Sequence, residues 1–187
     1  MSGQLQQLQT AKPNWICCQI GAREHYAVPA YLHRRNSLAA LITDAWLKPS
    51  TLVTKLQCAS LRSLQERFDS RLADANVWHF TSSLIRFEMH ARAQRCKNWD
   101  RIQARNTWFQ DHAVGRLRNF NVLNREGRAE PPIVFAFSYA ARRIFEFARR
   151  SGCRTVLGQI DPGPIEEQIV GDSPHSGTAK SLGHRHR

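Results

Sequence analysis

Acidic side chains are scarce in this sequence: 15 Asp and Glu stand against 27 Lys and Arg, giving a net charge of +12 and a pI near 10.4. So little negative charge favours polyanionic neighbours such as nucleic acid, nucleotide phosphates or an anionic membrane surface. Paired cysteine is missing too. The five thiols, Cys17, Cys18, Cys58, Cys96 and Cys153, are odd in number and contain no CxxC spacing. With no secretory signal before them they read as reduced intracellular thiols, so neither a disulfide frame nor a zinc site is expected. No apolar run approaches the roughly 18–20 residues of a membrane span. Residues 1–13 form a polar lead without the apolar core of a signal peptide. The expected location is therefore the cytoplasm, including a peripheral position at the inner face of the membrane. A G-x-G-x-x-G fingerprint is also lacking, which excludes the dinucleotide-binding form of a first βα turn.

What is present suits one α/β domain: 187 residues, 42% of them hydrophobic, are enough for a substantial core. Trp15 to Ile20 is a short run of strand formers closed by Gly21. A helix is expected over Val28 to Arg35, with Pro29 tolerated in its first turn. Leu38 to Trp46 predicts a second strand and Val77 to Phe80 a third. Between these two strands, residues 51–75 read as a helical excursion, with Leu56, Leu61, Leu64 and Phe68 at near-helical spacing. A longer helical region, in two or three pieces, is expected from Ser82 to about Leu123. Its best-marked face carries Phe109, Ala113, Leu117 and Phe120.

Ile133 to Phe137 is continuously apolar, as a strand covered on both faces should be. Ala141, Ile144, Phe145 and Ala148 mark one face of a helix ended by Gly152, and Thr155 to Ile160 predicts a further strand. The expected fold is α/β: a Rossmann-like parallel sheet flanked by helices, with a helical excursion between strands three and four, over residues 14–171. Residues 172–187 have almost no apolar side chains and are expected to be a disordered tail or out-of-frame sequence.

In an open parallel sheet, ligands bind beyond the carboxyl ends of the strands, where the strand order reverses. With the order 3-2-1-4-5, the loops reaching that crevice are Gly21 to Tyr26 and Ser138-Tyr139, while the turn at Asp161-Pro162-Gly163 lies one strand further out. Gly21 lets a backbone approach a ligand, and a helix N-terminus follows it. Arg23 suits a phosphate or carboxylate, or is a solvated loop residue; His25 suits a sugar hydroxyl or phosphate, or packs the helix. Asp161 suits hydroxyl recognition, or caps the next helix, in whose first turn Glu166 complements the dipole. Residues 82–128 hold ten Arg and Lys against four Asp and Glu, interleaved with Phe87, Trp99, Trp108 and Phe109. That stretch reads either as a solvated helix face over a core, or as a surface for bases or lipid.

The segments WICCQIGAREHYAVPAYLHRR, LITDAWL, IVFAFSYAARRIFEFAR and RTVLGQIDPGPIEE resemble the N-terminal part of bacterial glycosyltransferases of group 1 (family 4), which have the two-domain GT-B fold. The resemblance covers roughly residues 14–171 and is most specific at GQIDPGPIEE, then at GAREHY with the proline that follows. It implies retaining transfer of a sugar from a nucleotide-sugar donor, with no bound metal and no separate cofactor. In such proteins this half mostly binds the acceptor. On that basis the catalytic candidates are His25 and Asp161, and the substrate-binding candidates are Gly21, Arg23, Ser138, Tyr139 and Glu166. The implied partners are a C-terminal donor-binding domain and an acceptor, lipid-linked or not, at or near an anionic membrane. The donor domain's acidic motif is missing from the sequence, so a truncated or frame-shifted chain, inactive alone, is expected. The alternative is a basic α/β module that binds nucleic acid, although no helix-turn-helix, zinc-finger or RNA-recognition signature accompanies the charge.

Overall fold

The computed structural model describes residues 14–48, 64, 66–95, 98–119 and 131–159. Five strands, β1 (Trp15–Gln19), β2 (Leu38–Thr43), β3 (Val77–His79), β4 (Ile133–Phe137) and β5 (Arg154–Gly158), form one sheet in the order β3-β2-β1-β4-β5. Every pairing is parallel. The sheet is therefore laid down from its middle strand β1, outward to β3, and then back across to β4 on the other side of β1. The crossover carries the helical excursion expected between strands three and four.

Among the described residues four helices flank the sheet: α1 (Ala27–Arg34), α2 (Thr81–Ala93), α3 (Asn98–Arg118) and α4 (Arg142–Arg150). Their ends follow from local chemistry. Pro29 sits in the first turn of α1, where a missing N–H breaks no helical bond. At the end of α4, Gly152 takes φ +77°, its N–H donates to Arg149 O at 2.9 Å and that of Cys153 to Ala148 O at 2.9 Å. This is the Schellman arrangement that satisfies the last carbonyls. Asn36 plays the same part after α1 at φ +52°, with Ser37 N–H donating to Leu32 O at 2.9 Å.

Register decides the two faces. Leu41, Cys17 and Phe135 lie in line across β2, β1 and β4, and so do Ile42, Cys18 and Ala136. The first row packs against Tyr26, Ala30, Leu32, Trp46 and Leu72 on the α1 side. The second packs against Phe109, Ala113 and Leu117 of α3 and Ile144, Phe145 and Ala148 of α4. Adjacent Cys17 and Cys18 thus serve opposite faces as buried core residues, and burial pushes the Cys18 thiol up to about 12. Such thiols stay protonated and inert.

The edge differs from the centre. Val156 and Leu157 on β5 continue these two rows yet are 38% and 51% exposed. Gly158, further along that strand, is half-buried. A Cβ there would come within 2.7 Å of the Phe137 ring and 2.8 Å of the Phe135 ring, so those rings occupy the space a side chain would need.

The observed boundaries correct several expectations by a residue or a few. β2 ends at Thr43 rather than Trp46, because Asp44 turns the chain at the sheet's edge. β5 runs over Arg154–Gly158 rather than Thr155 to Ile160. The long helical region divides into α2 and α3, with Arg95 at φ +54° ending the first. Of its marked face, Phe109, Ala113 and Leu117 are fully buried. Phe120, residues 51–63 with Leu56 and Leu61, and the tail at 172–187 lie outside the described residues.

Candidate functional site

The strand order places the reversal point between β1 and β4, and the loops leaving those two strands meet there. After β1 the chain turns at Gly21, φ +69°, a conformation that disfavours any side chain. The space itself would admit a Cβ, whose nearest neighbour is the Arg67 guanidinium at 3.8 Å. Backbone conformation, not crowding, therefore makes glycine the fitting residue. Three more left-handed residues follow, Glu24 at φ +49°, His25 at +45° and Tyr26 at +54°. Non-glycine residues enter this region at a cost, and such runs persist only where surrounding contacts impose them.

Those contacts are visible. Gln19, buried at the end of β1, donates from Nε2 to Gly21 O at 3.0 Å and to Arg23 O at 3.4 Å. The guanidinium of Arg71 donates to His25 O while it also binds Asp69. Tyr26 is buried edge-on to Trp46, ring centroids 5.5 Å apart, and its phenol is pushed up to about 12, chiefly by burial.

The strongest tie is Asp44, a residue that sequence reasoning passed over. It follows β2 and is fully buried. Its Oδ1 accepts from Gly21 N at 2.8 Å and from Ala45 N at 2.9 Å. Its Oδ2 takes the guanidinium groups of Arg67 and Arg105. Burial pushes the Asp44 carboxyl up, but the charges of Arg67 and Arg105 and their hydrogen bonds outweigh it and hold the group below the usual carboxylate range. The ionised carboxylate therefore joins the glycine loop, the end of β2, the Arg67 segment and α3. Arg105 and Arg101 also bridge to Glu88 on α2, so both helices belong to the same network. A carboxylate at the end of the apolar run LIT was the available signal. A buried charge needs cationic partners, but their positions 23 and 61 residues away could not be read from the run.

On the opposite side of the reversal point, Ser138 and Tyr139 open the 3-10 turn that follows β4. Tyr139 stacks on Phe137, with ring planes 6° apart, and its hydroxyl donates to Ile20 O at 3.3 Å. Burial raises its pKa, so at neutral pH the phenol keeps its proton. Arg23 crosses the gap and lies over the Tyr139 ring at 4.9 Å. An exposed cation–π contact is worth about 0.5–1 kcal/mol. Charge-assisted bonds to a phosphate or carboxylate exceed that, so an arriving anion can draw the guanidinium off the ring.

Gly21, Arg23 and Tyr139 are thus brought together, with Ser138 half-buried at the start of the same turn. His25 is held through its carbonyl, and its residue is exposed. Asp161 and Glu166 lie outside the described residues. The N-terminus of α1, just beyond the glycine loop, has no side-chain cap. A surface pocket of about 410 Å³ lies on the outer side of α1, lined by Ala27, Ala30, Tyr31, His33, Arg34 and Arg71. It stands behind the glycine loop rather than at the reversal point, and Arg71 connects the two. Comparison with protein-family models, with curated proteins and with solved structures finds no match to this chain.

Proposed function

We propose that this chain is the acceptor-side half of a retaining glycosyltransferase that moves a sugar from a nucleotide-sugar donor, its donor-binding half being a second domain facing the same edge of the sheet. The observation that carries the reading is Arg23 resting on Tyr139 across the reversal point, beside a glycine loop tied down by Asp44. That arrangement offers a movable cation, a phenol that keeps its proton and an uncapped helix N-terminus to a ligand bearing hydroxyls and phosphate. In the transfer, the bond from the anomeric carbon to the donor's diphosphate breaks and a bond to an acceptor oxygen forms. The hydroxyl proton leaves with the departing diphosphate. Arg23 binds phosphate or acceptor, His25 contacts the reacting hydroxyl, and Asp161 and Glu166 orient neighbouring hydroxyls. Ser138 and Tyr139 line the acceptor's path.

A lipid-linked acceptor would place the domain against the cytoplasmic face of a membrane, in keeping with its net charge of +12. Among the described residues no helix is long and apolar enough to cross one. The nucleic-acid alternative draws less support. Arg101 and Arg105 are turned inward to Glu88 and Asp44, whereas Arg116 stacks on Trp78 and Arg118 on Phe147. The basic stretch is thus divided among different parts of the fold.

The test is ligand-observed NMR on the full chain with a panel of glycosides, sugar phosphates, glycolipid headgroups and nucleotide sugars. Saturation transfer to an acceptor-class sugar, abolished by Arg23→Ala, supports the reading. Transfer to none of the panel, or transfer untouched by Arg23→Ala, sinks it.

A further inference from the structure

Helix α3 is longer than the sheet it covers. Its residues Phe109, Ala113 and Leu117 are in the core, and Gln110 Oε1 accepts from Arg143 N at 2.9 Å. Arg143 is in the first turn of α4, which begins just past the carboxyl end of β4, so Gln110 marks the level of that edge. The stretch from Trp99 to Gln110 then extends about 16 Å beyond it at 1.5 Å per residue. Helix α2 runs back along it. Ser83 meets His112, Phe87 meets Trp108 and Glu88 meets Arg101, an antiparallel order that turns the pair into a projecting hairpin.

The outer part of this hairpin breaks the pattern of a solvated face. Met89 and Trp99 are each 65% exposed, Ile102 is 48% and Ile85 is 40%. On the same hairpin Arg86, Arg92 and Arg95 are exposed, against Asp100 as an exposed acid. Trp99 and Ile102 continue the helical spacing of the Phe109, Ala113 and Leu117 stripe, but past the edge they have no sheet to cover. Exposed apolar side chains and exposed arginines on one protruding hairpin match the two phases of a lipid interface. Nucleic acid would use the arginines and leave Met89, Ile85 and Ile102 without a partner, because a phosphate backbone gives aliphatic groups nothing.

We infer that the tip of the α2–α3 hairpin docks this domain on an anionic lipid surface, with Met89, Trp99 and Ile102 in the interfacial zone and Arg92 and Arg95 on the headgroups. The inference rests on the peripheral location proposed above and names the element responsible. Docked in this way, the hairpin holds the reversal-point cleft at its foot close to the membrane, within reach of a lipid-linked hydroxyl.

The experiment is co-sedimentation of the full chain with vesicles of phosphatidylcholine, with and without phosphatidylglycerol, combined with quenching of tryptophan fluorescence by brominated acyl chains. Binding is expected only with the anionic lipid. Replacing two surface cations, Arg92→Gln with Arg95→Gln, should weaken it roughly thirtyfold. Met89→Ser with Trp99→Ser should weaken it about tenfold or more and remove most of the quenching. Circular dichroism melts check that both double variants fold. If the parent chain ignores anionic vesicles, the peripheral location fails and this inference with it. If it binds and both double variants bind equally well, the location stands and the hairpin tip is overturned as its cause. A preference for single-stranded nucleic acid that needs Arg92 and Arg95 but not Met89 or Trp99 would also overturn it.

Discussion

The root and the outer end of the α2–α3 hairpin are built from the same residue types, yet they do opposite things. At the root, Arg105 binds the Asp44 carboxylate, and Phe87 and Phe80 pack on Trp108 at 5.5 and 6.3 Å. At the outer end, Arg92, Arg95 and Trp99 face solvent. Arginine and aromatic content therefore does not distinguish scaffold from surface. What does is whether a buried carboxylate or a sheet face lies opposite. Substitutions at the two places should separate cleanly, and their sizes test the comparison.

The largest effects belong to the root. Asp44→Ala strips two guanidinium groups of their shared partner, and breaking a buried ion pair on one side typically costs about 3–5 kcal/mol. Phe109→Ala, on the core side of α3, should cost about as much through cavity formation. Both are read from the midpoint of urea unfolding. A loss under about 1 kcal/mol at Asp44 would mean that the network is exposed ornament, no different in kind from the tip.

The acid limb sharpens the same point. Because the folded-state pKa of Asp44 is depressed, its stabilisation is complete above the unfolded value of about 3.9 and is lost as pH falls through the lower folded value. Melting temperature against pH should therefore drop steeply in acid for the parent chain and less so for Asp44→Asn. Asp69 and Asp74 are depressed too, through Arg71 and His33, but they sit in solvent-screened pairs and should add little to that slope.

Much of the fold is legible in the sequence. The apolar run at 15–20 predicts a strand, the continuous run at 133–137 predicts one covered on both faces, and the four-and-four spacing of Phe109, Ala113 and Leu117 marks the core side of α3. Parallel crossovers allow the order 3-2-1-4-5 without fixing it, and the observed sheet has that order. Asp44 is not legible in this way because the apolar run carrying it predicts strand through Trp46, and its cations come from distant segments. Sequence spacing shows periodicity along one element, whereas a salt-bridge network is a property of where elements end up. The overhang of α3 was hidden for a related reason. Its apolar stripe keeps the same spacing inside and outside the core, and only the level of the sheet edge tells the two apart.

A smaller effect is expected at the glycine loop. Gly21→Ala meets no clash, so the cost should be that of placing a Cβ in the left-handed region, about 1–2 kcal/mol. Loss of stability of that size with the Asp44 contacts intact would show that backbone conformation alone demands glycine here. A cost near that of Asp44→Ala would mean that the loop and the carboxylate form one unit.

The smallest effect should come from an aromatic residue that shares the core stripe of α3. Trp99 lies on the same stripe of α3 as Phe109, but it sits beyond the sheet and 65% of it is exposed. Replacing it by serine removes little that folding had buried, so unfolding free energy should move by no more than about 0.5 kcal/mol. Phe109→Ala on the same helix should then differ from Trp99→Ser by several-fold, measured under the same denaturant. If Trp99→Ser instead unfolds the domain, the apolar tip is structural and must be covered by another part of the chain. If stability holds while vesicle binding falls, the tip is a surface kept apolar for what it touches.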